Sequence, residues 1–347
     1  MKRFLRILII LLILLAAFVL QILHSGGFFR KVVPGFEGNI IQKINLPGAE
    51  DIAISREDLF LIVSSDDRAA RRDGRPAQGG LYLIDLSERP LTPTLISGSF
   101  DQPFFPHGIS LLRLDSGRYQ VLAINHVHGK HTIEKFLLSG NRLVYEKTLT
   151  DESMISPNDV VAISNQAFYF TNDHQNTSGF WRFMEDYIGL RRSNVIYSDG
   201  STFREVSKGI AYANGINYDE QRNLLFVASP RDFLVKVYKT EDDGDLSFIE
   251  DIAVGTGVDN IEFDDKGNLW IGAHPNLMAF ANYASGKTKK APSEVIQLTY
   301  RSTGDYDVNS VFLDDGSIIS ASTVAVPFRN LVFIGNVMDE ELVIWER

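Results

Sequence analysis

The 347-residue chain contains no cysteine. That excludes disulfides, a thiolate nucleophile and every thiolate metal site. It fits a compartment where free thiols are a liability without identifying one. Histidine is scarce as well, at 7 residues, so a zinc centre would have to draw on few imidazoles. Positive charge is in deficit: 34 Lys and Arg stand against 44 Asp and Glu, a formal net charge of −10. A nucleic-acid binder needs a basic face for phosphates, so that class is set aside. Helical periodicity is missing beyond the N-terminal segment, except over Trp181 to Leu190.

What is present begins with 44% apolar residues, enough to bury a sizeable core. Lys2, Arg3 and Arg6 precede Ile7 to Leu23, a run broken only by Gln21. As a helix this run nearly spans a hydrocarbon core, which needs ~20 residues. The basic cluster ahead of it keeps the N-terminus cytoplasmic and sends the rest across. A cleaved signal peptide is the competing reading, but the run exceeds the usual h-region of about 7 to 15 residues. Ala16 and Ala17 lie inside the run, and His24-Ser25-Gly26-Gly27 is a poor cleavage site. The expectation is therefore an uncleaved, single-pass signal anchor over 1–27. A domain over 28–347 would follow on the periplasmic or extracellular side.

From residue 35 onward, short apolar runs alternate with Gly, Asp, Asn and Pro. Leu59-Phe60-Leu61-Ile62-Val63, Gln120-Val121-Leu122-Ala123-Ile124, Leu224-Leu225-Phe226-Val227-Ala228 and Leu269-Trp270-Ile271-Gly272 are strand signals. A phrase recurs in which a polar residue opens an apolar strand. Its stations are Glu50-Asp51-Ile52, His107-Gly108-Ile109, Asn158-Asp159-Val160, Asn214-Gly215-Ile216, Asp259-Asn260-Ile261 and Asn309-Ser310-Val311. A period of about 50 residues with several strands each is the mark of a β-propeller, and six units fill the domain. The fold class is all-β, a six-bladed β-propeller with an N-terminal hydrophobic helix.

In a propeller the innermost strands line the channel, so in-phase polar stations converge on the axis. Asn and Asp before a strand are also ordinary turn residues, which explains any one station but not six in phase. Glu50, Asn158, Asn214, Asp259 and Asn260 offer only oxygen ligands. Calcium takes six to eight such oxygens, whereas magnesium wants stricter octahedral geometry and zinc more nitrogen. The two carboxylates match the charge of a divalent ion. Such an ion polarises a carbonyl and stabilises the developing oxyanion. His107 stands on the same ring of stations and is the candidate base. His126, at the end of the next strand, would orient it and share its proton. The bland alternative for either imidazole is a structural role.

These phrases, with Pro106-His107-Gly108-Ile109-Ser110, Asn125-His126, Thr171-Asn172-Asp173-His174, Tyr187-Ile188-Gly189-Leu190 and His274-Pro275-Asn276, resemble the paraoxonase/arylesterase family in order and spacing. The resemblance runs over roughly residues 35 to 347. It implies a calcium-dependent hydrolase of lactones and aryl esters, with two Ca2+ ions in the tunnel. It assigns the catalytic ion to Glu50, Asn158, Asn214, Asp259 and Asn260. It assigns a deeper structural ion to Asp51, Asp159 and the backbone carbonyl of Ile109. His107 and His126 match the family's histidine dyad. Tyr212, His274 and Thr323 are candidates for the substrate wall. The partners implied are a small lactone or ester and, through the N-terminal helix, a membrane.

The chain departs from the family in three places. Animal members close the propeller with a disulfide, which is impossible here, so closure rests on strand pairing. A cysteine preceding the family's equivalent of His274 is Ala273. The loop Ser65 to Gly80 carries Arg68, Arg71, Arg72 and Arg75, which favours substrates with an anionic part or simply forms a solvated loop. Two other functions stay open. One is a sugar-lactone hydrolase of the gluconolactonase type with a single metal; the other is a membrane-tethered, non-catalytic binding module, since propellers host many functions.

Overall fold

The computed structural model describes residues 2–115, 117–127 and 129–347. Six antiparallel sheets form the blades of a propeller. Their inner strands are, in chain order, Ala49–Ser55, Pro106–Asp115, Pro157–Ala162, Ile216–Asp219, Gly257–Phe263 and Ser322–Phe328. In the first five blades each following strand lies one place further out, so strands consecutive in the chain are neighbours in the sheet. Each strand example read from the sequence coincides with an observed strand, with Leu59 alone in the turn that precedes it.

The sixth blade closes the ring. Asn39–Asn45, from the start of the domain, pairs antiparallel with Glu341–Glu346 at its end. Gly35–Phe36 adds a fifth strand to the edge of the fifth blade. Trp345 seals the junction: it is 1% exposed, and its indole N–H donates to the Glu37 carbonyl at 2.6 Å. Phe36 and Phe312 pack on its ring. Apolar side chains fill the gaps between neighbouring blades. Ile52, Leu61 and Val63 of the first blade meet Val324, Phe333 and Ile344 of the sixth. Blade-on-blade burial of this kind, at ~25 cal/mol per Å2, is the main stabilising term for a chain without cross-links.

A register irregularity marks the inner strand of five blades at the same height. It spans Ala49 to Asp51, Pro106 to Ile109, Pro157 to Val160, Val258 to Ile261 and Ser322 to Ala325. A bulge breaks the strict in–out alternation and re-aims side chains. Close approach of neighbouring inner strands demands glycine beside two stations. A Cβ on Gly108 would lie 2.5 Å from Asp159 Cα, and one on Gly215 would lie 2.4 Å from the Asp259 carbonyl oxygen.

One station was misplaced by the sequence period. Asn309 lies on Asp305–Asp314, an outer strand of the fifth blade, opposite Gln297 and exposed. The fifth blade carries the helix Leu277–Ala284 and two ten-residue outer strands, so a fixed count falls short. Thr323 occupies the sixth inner position.

The helix α1 spans Lys2–Ser25 and buries none of its side chains. Its apolar window has a mean hydropathy of 2.9, and it is long and apolar enough to cross a membrane by length and composition. The segment predicted from Trp181 to Leu190 is helical as far as Ile188: Gly179–Phe183 continues into a wider π-type turn over Met184–Ile188, capped by Gly189 at φ 73°.

Candidate active site

The starts of the inner strands bring the polar stations together in the tunnel. Glu50, Asn158, Asn214, Asp259 and Asn260 are each at most 6% exposed. Their neighbours orient them. Asn260 donates Nδ2 to the carbonyl and to Oε1 of Glu50, at 3.1 and 3.0 Å, which turns its own Oδ1 away. His274 Nε2 lies 2.8 Å from Asp259 Oδ2. Asn158 Nδ2 points at Asp173 Oδ2, at 3.5 Å. Thr171 donates its hydroxyl to the Asn214 carbonyl at 2.6 Å.

Each of the five then keeps one buried oxygen without a partner: Glu50 Oε2, Asn158 Oδ1, Asn214 Oδ1, Asp259 Oδ1 and Asn260 Oδ1. A buried orphan acceptor costs about 1–3 kcal/mol, and folded proteins leave few. Five on neighbouring stations are acceptors that a bound cation would satisfy. No trio of His, Cys, Asp and Glu is arranged to hold a metal among the described residues. Two carboxylates with three amides instead form the all-oxygen donor set that suits calcium.

Asp51 and Asp159, one residue further along, behave differently. Asp51 accepts the backbone amides of Ile52 and Ile109, at 2.8 and 2.7 Å. Asp159 accepts those of Val160 and Ile216, at 2.7 and 2.8 Å. Each therefore ties its inner strand to the next blade. The Ile109 N–H, not its carbonyl, faces Asp51. Both carboxylates line a second cavity of about 230 Å3 deeper in the tunnel, with Glu262.

Electrostatics favour an added positive charge. Burial, with the Glu50 charge beside it, pushes the Asp51 carboxyl up to about 8 against the pull of its amide partners. Burial raises Asp159 well above the carboxylate range, and Asp51 adds to it. Burial also raises Asp259, which His274 opposes. Burial works against ionising Glu50, yet His107, Arg68 and Asn260 hold it below its ordinary value. Crowded carboxylates cannot all ionise without a counter-ion.

His107 Nε2 lies 3.3 Å from Glu50 Oε1, and His107 Nδ1 lies 2.9 Å from His126 Nε2. The two imidazoles anticipated as a pair are thus hydrogen-bonded. A third, His131, follows at 2.8 Å from His126 Nδ1. Nothing in the sequence singled it out, because its nearness depends on strand register.

Above the ring is a cavity of about 280 Å3 lined by Glu50, His107, Asn158, Asn214 and Asp259. Tyr212, His274 and Thr323 all reach its wall. Two of the three have further tasks: His274 holds Asp259, and Thr323 donates to the Glu50 carbonyl at 2.6 Å. Asp173, Arg182 and Asp186 also line it. Buried His174 bridges Asp173 and Asp186, at 2.6 and 2.8 Å, and so ties the helix from Gly179 to the third blade. Ile22, Leu23 and Phe28, at and after the end of α1, complete the apolar side of the mouth.

The arginine-rich loop contributes no wall residue to this cavity. Residues Arg68–Arg72 form a short helix. Arg68 and Arg71 pair with Asp66, and Arg72 and Arg75 with Asp73. The cations are committed to local carboxylates.

Comparison with known proteins agrees with this architecture. Solved propellers share the fold at low identity. The luciferin-regenerating enzyme superposes with a TM-score of 0.55 at 12% identity, covering 90% of this chain and 95% of its own. A putative gluconolactonase gives 0.52 at 14%, covering 92% and 95%. Sequence relatives are nearer. The chain is 33% identical over 302 residues to serum paraoxonase/arylesterase 2 of Gallus gallus, 85% of each. It is 32% identical over 314 residues to serum paraoxonase/arylesterase 1 of Homo sapiens, 88% of this chain and 87% of the relative. It is also 32% identical over 302 residues to human serum paraoxonase/lactonase 3, 85% of each. With the arylesterase family profile matching residues 31–344, the chain belongs to the arylesterase family of carboxylic ester hydrolases.

Proposed function

We propose that the chain hydrolyses lactones and aryl esters in the upper tunnel, with a calcium ion held by Glu50, Asn158, Asn214, Asp259 and Asn260. The observation that carries this reading is the set of five buried, unpartnered oxygens on those residues. When bound there, calcium supplies Lewis-acid polarisation of the substrate carbonyl. The protein residues do the rest. The cavity walls exclude bulk water and hold the acyl group over the ring. His107 accepts a proton from the attacking water at Nε2, the nitrogen that faces Glu50. His126 fixes the His107 ring through Nδ1 and takes up the polarity that develops on it. Tyr212 shapes the wall, where it packs on His174 with ring centroids 4.6 Å apart.

A second ion, at Asp51, Asp159 and the Ile109 carbonyl, is supported by charge crowding rather than by free oxygens. A single-ion enzyme of the gluconolactonase type is the second reading. It is favoured by the backbone amides that already satisfy all four oxygens of Asp51 and Asp159.

In the same reading, residues 1–27 anchor the protein in a membrane and 28–347 act on the far side. Support comes from a 24-residue apolar helix, exposed over most of its length, whose end borders the cavity. The test is hydrolysis of two lactones and phenyl acetate with calcium, after chelation, and in Glu50→Gln. Loss of activity by orders of magnitude on chelation and in the variant is expected. Full activity in either would overturn the reading.

A further inference from the structure

We propose that His131 is the outer member of a three-imidazole proton path that runs along one blade from the tunnel to solvent, a step that rests on the hydrolytic reading above. The three histidines stand on three consecutive strands of the second blade: His107 on Pro106–Asp115, His126 on Arg118–Val127 and His131 on Lys130–Ser139. His126 and His131 are directly opposed in the antiparallel register. His107 sits in the bulge after Pro106, which brings it level with His126. The result is a radial line. Glu50 Oε1 is 3.3 Å from His107 Nε2, His107 Nδ1 is 2.9 Å from His126 Nε2, and His126 Nδ1 is 2.8 Å from His131 Nδ1. Both nitrogens of His107 and of His126 are engaged, so the two rings act as connectors. Successive ring planes are crossed at 87°.

The chain has a direction. When His107 Nε2 is bare and ready to take a proton, His107 Nδ1–H donates to His126 Nε2. His126 Nδ1–H then donates to His131 Nδ1, and His131 carries its proton on Nε2. A proton arriving at His107 Nε2 shifts each bridging proton one place outward and leaves His131 through Nε2. The reaction requires such an exit. Water's oxygen bonds to the acyl carbon while the carbon–oxygen bond to the alcohol breaks. One of water's protons ends on the alcohol oxygen. The other must leave, because the acid produced is ionised near neutrality. No redox partner is involved.

Surroundings favour the neutral form of His126 and His131. Burial lowers His126 well below the usual imidazole range, with His107, His131 and Arg68 adding to this and Asp173 opposing. Burial lowers His131 too, with Asp173 opposing and His107 assisting. His131, on the outermost of the three strands, is partly exposed.

His131 touches no reacting atom and is a positioning and proton-exit residue. The test uses the full chain loaded with calcium and His131→Gln, whose amide fills the site but cannot accept a proton at one atom and release one at another. Expected is a fall in kcat of about tenfold in dilute buffer, smaller than the 10²–10⁴ of a general base. KM and the thermal midpoint should hold, and added imidazole should restore kcat. Equal kcat in dilute buffer, or a loss that imidazole leaves in place, would overturn the proposal. The second readout is independent of turnover: nitrogen-15 spectra of the imidazoles in the wild type and in His131→Phe. A connected chain shifts His126 Nδ1 and the His107 nitrogens when His131 is replaced, and an unchanged spectrum sinks the idea. If the wild type opens no lactone or ester, the hydrolytic reading fails, while the spectra still decide whether the path exists.

Discussion

His274 Nε2 sits 2.8 Å from one carboxylate oxygen of Asp259 and leaves the other, Oδ1, buried and bare. Phe280 stacks on the imidazole with centroids 4.1 Å apart, which fixes the ring plane. One carboxylate is thereby divided into an oriented half and a free half. Outer partners of this kind typically account for 10–100-fold in metal affinity. His274→Ala should weaken calcium binding by about that factor, read by calorimetric titration. Affinity equal to the wild type would mean that Asp259 needs no such support.

Calcium should stabilise the fold as well as serve the reaction. A ligand bound only by the native state at 100 times its Kd adds about 2.7 kcal/mol. Chelation should lower Tm by several degrees, and Glu50→Gln should abolish the calcium-dependent part of the shift. A Tm indifferent to calcium in the wild type would contradict the ring of free oxygens as a cation site.

Calcium uptake should also release protons. Asp51 is held near 8 and Asp159 is raised well above the carboxylate range, so they carry protons near neutrality that a cation expels. The folded values lie above the unfolded ~3.9, so the metal-free native state binds the extra protons. The contribution of these carboxyls to its stability is therefore greatest at low pH and falls as pH rises toward about 8. Titrations in buffers of different ionisation heat should show proton release at pH 7 and less at pH 9. Buffer-independent heats would contradict this.

The bridge from His174 to Asp173 and Asp186 has the same direction of pH dependence from a different cause. Burial alone would lower His174, but hydrogen bonds to the two carboxylates outweigh it and push it to about 9. The folded value exceeds the unfolded ~6.5. The stabilisation is therefore complete below about 6.5 and is lost as pH rises through about 9. Hydrogen exchange in residues 179–188 should speed up across that window beyond its intrinsic pH dependence. The excess should disappear in His174→Gln.

Closure without a disulfide predicts a sensitive seam. Trp345→Ala removes a fully buried indole and its bond to Glu37, and should cost about 3–5 kcal/mol in urea unfolding. A cost below 1 kcal/mol would show that strand pairing alone holds the ring.

Much of the fold was legible in the sequence because its signals are local. Alternating strands, Gly and Asp turns and a period near 50 residues follow from chain geometry, and the apolar run before Phe28 follows from composition. Five of the six inner positions, including Glu50, Asn158, Asn214 and Asp259–Asn260, were read this way, since a polar residue at the start of the inner strand repeats in the sequence. The sixth was misread, because the long strands and helix of the fifth blade stretch the period, and only the pairing of Asn309 with Gln297 revealed it. Tertiary structure alone decided the rest. Which oxygen of each ligand is free depends on neighbours distant in sequence, as Glu50 and Asn260 show at a separation of 210 residues. The line from His107 to His131 exists because antiparallel register sets residues opposite one another across strands. Pairing of Arg71 with Asp66 leaves this cation no part in the cavity wall, which charge counting could not foresee. Sequence carries what each residue can do; side-chain partnership, set by packing, selects what it does.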